Sequence, residues 1–148
     1  MARNPHRGRF DLAAYDRNGR RTLLVEVKRR PVDEGWATEY RRSLVQRGLL
    51  GGSELFLLVV PDRLFLWTPS IPGDAPPTQL DARALLAPYF QRVGVSPEQI
   101  QPMAFEMLCL LWLQELANAE PSSVPVELLR SGLFEAVHGA DIEHEPET

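Results

Sequence analysis

The chain of 148 residues has one cysteine, three histidines and no long apolar run. Cys109 cannot form an intrachain disulfide and has no Cys or His companions at metal-finger spacing, so a disulfide scaffold and a structural zinc site are both excluded. A reducing, cytoplasmic setting is the expectation. No stretch approaches the roughly 18 apolar residues of a membrane span, and the opening Met-Ala-Arg-Asn-Pro-His-Arg offers no apolar signal core. None of the histidines, His6, His138 and His144, has a Ser or Cys neighbour that would point to a nucleophilic triad. There is no internal repeat. Mean hydropathy of -0.21 and a net charge of -4 are those of a folded domain, not of a disordered chain.

What is present is charge of unequal distribution. Residues 1–47 carry 12 of the 16 Lys and Arg against six of the 20 acids, a surplus of six positive charges, whereas the rest carries four basic and 14 acidic residues. The acidic total hides a basic half, and the field near a surface follows local charge. Contact with a polyanion through the N-terminal half is one reading; a solvated arginine-rich face is the other.

Residues 9–16 and 20–29 read as two strands joined at Asn18-Gly19, whose residues tolerate the positive φ of a two-residue hairpin turn. Pro31 closes the second strand. Trp36, Tyr40 and Leu44 recur every four residues, so a helix is expected from Asp33 to about Gly48. Residues 54–60 form a continuous apolar run, the pattern of a strand covered on both faces, and 63–67 a neighbouring strand. Residues 69–80 hold four prolines and a glycine and read as a linker. Helices follow at about 81–92, 102–119 and 126–137, the last with a potential break at Ser131-Gly132, and Asp141-Ile142-Glu143 is a weak strand candidate. The 102–119 helix is apolar on most sides, which points to deep burial or an oligomer seam, with Glu106 and Glu115 as its polar edge. The expected organisation is an α/β core over 1–68, a linker over 69–80 and a helical region over 81–148 packed on the core.

The chemistry gathers in the first hairpin. Alternation places Asp11, Ala13 and Tyr15 on one face, opposite to Phe10, Leu12 and Ala14, while Leu24, Glu26 and Lys28 share a face of the second strand. With a two-residue turn, Arg17 pairs with Arg20 and Asp16 with Arg21, and the register brings Asp11 opposite Glu26. Carboxylates about 5 Å apart repel by roughly 3 kcal/mol at an effective dielectric of 20, so the pair calls for a cation. Two carboxylates and a backbone carbonyl suit Mg²⁺ or Mn²⁺, and Lys28 stands where its ammonium can orient water and offset charge on a phosphate. Asp16 beside Asn18-Gly19 reads as a turn residue before a ligand. Arg9, Arg29, Arg30, Arg41 and Arg42 are the candidates to grip phosphates. Cys109, inside an apolar helix, reads as an inert buried thiol.

Phe-Asp-Leu-Ala-Ala-Tyr-Asp-Arg-Asn-Gly followed by Leu-Leu-Val-Glu-Val-Lys resembles the PD-(D/E)XK nuclease superfamily, and the Trp-Ala-x-Glu-Tyr-Arg-Arg helix and the Pro-Asp-Arg-Leu-Phe-Leu-Trp strand pair are similar to a compact bacterial branch of it. The likeness covers roughly residues 8–68. It implies a restriction-endonuclease-like mixed sheet, hydrolysis of phosphodiester bonds in DNA, Asp11, Glu26 and the Val27 carbonyl as ligands of Mg²⁺ or Mn²⁺, and Lys28 as catalytic lysine. The superfamily core usually opens with a helix and strand before the aspartate, the helix often supplying another acid. Ten residues precede Asp11 here, so a later segment, a second subunit or a reduced core takes that place. The Gln-x-x-x-Tyr of exonuclease-like branches is replaced by Trp36-x-x-x-Tyr40, which makes Tyr40 a core residue. A non-catalytic nucleic-acid-binding or assembly module with the same fold is the rival expectation, and a homodimer through the helical half is compatible with both.

Overall fold

The computed structural model of the chain describes residues 10–69 and 75–145. They form an α/β fold in which six strands make one mixed sheet of order β5-β4-β3-β2-β1-β6. In chain order these are β1 (Leu12–Tyr15), β2 (Arg21–Val27), α1 (Glu34–Gln46), β3 (Leu55–Val60), β4 (Arg63–Trp67), β5 (Thr78–Asp81), α2 (Arg83–Val93), α3 (Pro102–Ala117), α4 (Val126–Arg130), α5 (Leu133–Val137) and β6 (Asp141–His144). Among the described residues no helix is long and apolar enough to cross a membrane.

The centre of the sheet is the parallel pair β2 and β3, which requires the crossover that α1 supplies. Strand alternation then divides the interior in two. Leu24, Phe56, Leu58, Val60, Phe65 and Trp67 pack towards α1 with Ala37 and Leu44. Leu23, Val25, Leu57, Val59, Leu64 and Leu66 pack on the other face against the helices that follow β5, with Phe90, Phe105, Trp112 and Leu113. The apolar run of β3 is therefore covered on both faces, as its composition implies. Helix α3 buries one side, from Phe105 to Ala117, and leaves Met103, Met107 and Leu111 exposed; Pro102 sits at its first turn, where a missing N–H costs nothing. Asp33 caps α1 by accepting from the Trp36 N–H at 2.8 Å.

The segment 69–80 is more than a linker, because Thr78–Asp81 pairs with β4 as an edge strand. The other edge is closed by β6, antiparallel to β1. Glu145 just beyond it is buried, with Tyr15 Oη donating to Oε2 and Arg21 Nη1 to Oε1, each at 2.8 Å. Arg21 also reaches Glu54 Oε2 at 3.1 Å, so one guanidinium ties the hairpin, the start of β3 and the end of β6 together. The helix expected over 126–137 is divided into α4 and α5 at Gly132, whose φ of +89° no helical residue adopts.

The first hairpin differs from expectation in two ways that offset each other. Its turn holds three residues, Arg17, Asn18 and Gly19, rather than two: Asp16 N donates to Arg20 O, and Asp16 Oδ1 accepts from the Asn18 and Arg20 amides. Tyr15, not Asp16, therefore pairs with Arg21. A bulge at Thr22 then restores the register, so that Ala14 faces Leu23 and Leu12 faces Val25. The Thr22 hydroxyl donates to Ala136 O at 2.8 Å, which fixes the extra residue against α5.

Phe56 joins this fold to what lies beside it, with ring centroids 5.8, 5.6 and 6.4 Å from those of Phe10, Trp67 and Tyr40. Replacing it by alanine opens a cavity in the α1-side core, and Phe56→Ala is expected to lower unfolding stability by about 3–5 kcal/mol in urea titration.

Candidate functional site

The β1/β2 ladder ends with Leu12 opposite Val25, and just beyond it Asp11 comes near enough for its charge to act on Glu26. Asp11 lies at a bend just before β1, where its amide donates to Val25 O at 3.0 Å and its carbonyl accepts from Glu145 N at 3.2 Å. Its Oδ2 accepts from the Val27 amide at 2.8 Å, a contact across the open end of the hairpin. The bend interrupts the expected alternation, since Phe10 packs on the α1 side together with Ala13 instead of opposite to it. Freed from a strict face, Asp11 acts electrostatically on both layers: its charge raises the pKa of Glu26 on the α1 side and of Glu106 on α3.

Glu26 is 7% exposed, in the last turn of pleat of a strand buried on both sides. Burial first, and the Asp11 charge second, push its carboxyl up to about 7, against the opposing pull of Tyr40 and Lys28. Tyr40 Oη donates to Glu26 Oε2 at 2.8 Å, and Lys28 Nζ lies 3.4 Å from the same oxygen. Lys28 Nζ is also 5.5 Å from the centroid of the Tyr40 ring. The Tyr40 phenol is raised by burial and by the Glu26 charge, so it remains a donor at any ordinary pH. Tyr40 thus packs in the α1-side core, as its spacing implies, and in addition orients the Glu26 carboxylate. Its hydroxyl could not be placed from a helical period, which gives the face of a residue and not the reach of its tip.

Glu106, expected as a polar edge, belongs to this neighbourhood. Its carboxyl is half-buried and raised by burial and by Asp11, while His144 Nδ1, 2.6 Å from its Oε2, opposes the shift. A helix from later in the chain therefore sets an acid beside Asp11. Cys109, one turn further along α3, is fully buried, and burial together with Asp11 and Glu106 keeps it a thiol.

Of the five arginines expected to grip phosphates, Arg9 lies outside the described residues. Arg41 is corrected: it is buried, its guanidinium carbon 5.6 Å from the centre of the Trp67 ring, because its position on α1 faces the sheet. Arg42 is partly exposed and ion-paired with Glu39 on its own helix. Arg29 and Arg30 are exposed, follow Lys28 directly and pair with no carboxylate among the described residues. Asp16 is a turn residue, its Oδ1 occupied by two backbone amides.

Among the described residues no three His, Cys, Asp or Glu side chains converge closely enough to cage a metal ion. The donors present are nonetheless all hard oxygens, and Glu26 is held in its proton-binding range by an excess of negative charge in a dry setting. One or two carboxylates with the remaining positions left to water is the ordinary mode of Mg²⁺, so the residues fit a divalent cation on Asp11 and Glu26.

The Glu26 shift has a sign that can be tested. A carboxyl held at about 7 in the fold and near 4.5 when unfolded keeps its proton in the native state while the unfolded chain loses it, so stability falls as pH rises through that window and levels off above it. Glu26→Gln removes this loss and keeps an acceptor for Tyr40. Without added metal, the variant is expected to be more stable than the parent by roughly 2–3 kcal/mol at pH 8 and by far less at pH 4.5, read from urea midpoints. An equal difference at both pH values would show that Glu26 does not titrate as its surroundings require.

No family model matches this chain, and neither a curated protein nor a solved structure is significantly similar to it, so the chemistry of the site rests on the residues themselves.

Proposed function

We propose that this chain is a metal-dependent, nuclease-like protein of the PD-(D/E)XK type, with a restriction-endonuclease-like core, that hydrolyses phosphodiester bonds in DNA. The observation that carries the reading is the gathering of Asp11, whose charge acts on Glu26, and Lys28, whose Nζ lies 3.4 Å from Glu26, at the end of the hairpin. The order hairpin, helix, parallel strand, antiparallel strand supports it, as does the all-oxygen donor set.

In this reading Asp11, Glu26 and the Val27 carbonyl hold Mg²⁺ or Mn²⁺, which when bound supplies a water of lowered pKa and stabilises charge on the phosphate. Tyr40 fixes the rotamer of Glu26 through its hydrogen bond. The Val27 amide does the same for Asp11. Lys28 lends its ammonium to orient the attacking water and to offset the charge that builds on the phosphate oxygens. Arg29 and Arg30, exposed next to it, bind flanking phosphates without reading bases.

A second reading, a nucleic-acid-binding or assembly module without catalysis, is favoured by one observation: the site is internally satisfied. Lys28 pairs with one Glu26 oxygen and the Val27 amide occupies Asp11 Oδ2, as in a fold whose carboxylates no longer serve a metal.

Incubation with supercoiled, linear and single-stranded DNA and with RNA, in Mg²⁺, Mn²⁺ or EDTA, separates the two. The nuclease reading expects metal-dependent cutting that is abolished in Glu26→Ala and lowered by about a hundredfold or more in Lys28→Ala. The module reading expects salt-sensitive binding that survives Glu26→Ala, with no cutting in any metal.

A further inference from the structure

Beyond Lys28 the chain passes through Arg29, Arg30, Pro31 and Val32 before Asp33 caps α1. This loop, together with Trp36 and with Pro102 at the head of α3, walls a groove of about 690 Å³ that begins at Lys28 itself. Lys28, which pairs with Glu26, thus also lines the groove and sets it beside the carboxylate centre. Three cations stand along it against one carboxylate, and that carboxylate, Asp33, is turned onto the Trp36 amide.

Trp36 is the unusual member of this wall. It is 42% exposed, whereas Trp67 and Trp112 are 1% and 4% exposed. One face of the indole lies on the Tyr40 ring, centroids 5.0 Å apart and planes at 12°, and Tyr40 is itself anchored to Glu26. The indole is thus backed by Tyr40 and partly exposed where it lines the groove. A flat aromatic platform flanked by guanidinium groups is complementary to a base and its phosphates, because the ring stacks on any base face while the cations follow the backbone. An acidic peptide would meet the cations and leave the indole without a planar partner.

We infer that this groove takes an unpaired nucleotide of the substrate strand, its base stacked on the outer face of Trp36 and its phosphates along Lys28, Arg29 and Arg30. The inference rests on the nuclease-like reading for its place beside the cut site and names the substrate class for that reading. A base within a duplex is covered on both faces by its neighbours, so only a single strand, a flap or an extruded nucleotide can present a face to Trp36. The platform makes the site selective for unpaired nucleic acid.

The test is binding in EDTA, where no cutting can occur. The probes are an oligothymidylate of about 12 nucleotides, the corresponding oligouridylate, and a duplex of equal length. Trp67 and Trp112 are buried, so quenching of intrinsic fluorescence by contact with a base reports Trp36. The single strand is expected to quench and to bind about tenfold or more tightly than the duplex. Trp36→Ala should weaken the single strand by roughly five- to hundredfold with the duplex unchanged, and Trp36→Phe should retain most of the preference. The two single strands separate DNA from RNA as the source of the nucleotide.

Absence of quenching, a preference for duplex, or an equal loss for both forms in Trp36→Ala would overturn the inference. Should Trp36→Ala unfold, quenching of the parent and the Trp36→Phe affinities decide alone. The two readings fail separately. Strand-selective quenching without cutting in any metal sinks the nuclease reading only, whereas metal-dependent cutting of duplex that Trp36→Ala leaves unchanged sinks only the inference drawn from the groove.

Discussion

Two like charges held at the mouth of a dry hairpin are the constraint around which this molecule is arranged. Asp11 and Glu26 act on each other where the β1/β2 ladder opens, and the interior beside them is lined by aliphatic and aromatic side chains. An isolated carboxylate pair in such a place would be expelled or protonated. The surrounding groups each answer part of that cost: the Tyr40 hydroxyl and the Lys28 ammonium at Glu26, the Val27 amide at Asp11. Glu106 acts in the opposite sense by adding a third acid, itself held by His144. A fold built for stability alone would replace these groups by apolar ones of similar volume. Their retention together is what gives the site its chemical character.

The parallel centre of the sheet makes this possible. Because β2 and β3 are covered on both faces, the end of β2 cannot move without disturbing both halves of the core. Lys28 leaves that end with its amide on Val59 O, so the direction of the Lys28-Arg29-Arg30 segment is set by the sheet. The α1 helix returns over it and brings Tyr40 down onto Glu26 and Trp36 up to the rim. One crossover thus delivers both the support of the carboxylate and the aromatic wall of the adjoining groove.

Much of this was legible in the sequence, and the exceptions have physical causes. The strands of the core follow from apolar runs, and α1 and α3 from periodicity and caps. A two-residue turn gives the right register for Leu12 and Val25 only because two departures from it cancel. Asp16 caps a three-residue turn, and the bulge at Thr22 supplies the compensating residue. Turn length and bulge are not independent of packing, because Thr22 is tied to α5, which no local pattern reveals. Charge predicts exposure for Arg41; a guanidinium lying over Trp67 is the exception such a rule misses. A helix nearly apolar all round leaves Glu106 as an edge residue, and only the packing of α3 against β6 and β2 shows which edge. Thr78–Asp81 was hidden by its prolines, which mark a boundary and cannot show that the chain pairs with β4 immediately afterwards.

The return of the chain to its beginning carries a further meaning. Asp11 is held through its carbonyl by Glu145, and Glu106 beside it by His144, so the neighbourhood draws together residues from both extremes of the described chain. Contacts so distant in sequence form only after a large loop has closed, and they set the pace of folding more than its end point. During synthesis the hairpin is made early and remains without its outer strand until β6 emerges. The nascent chain therefore carries an unfinished site until β6 has emerged, and the arrangement of its acids waits on that strand.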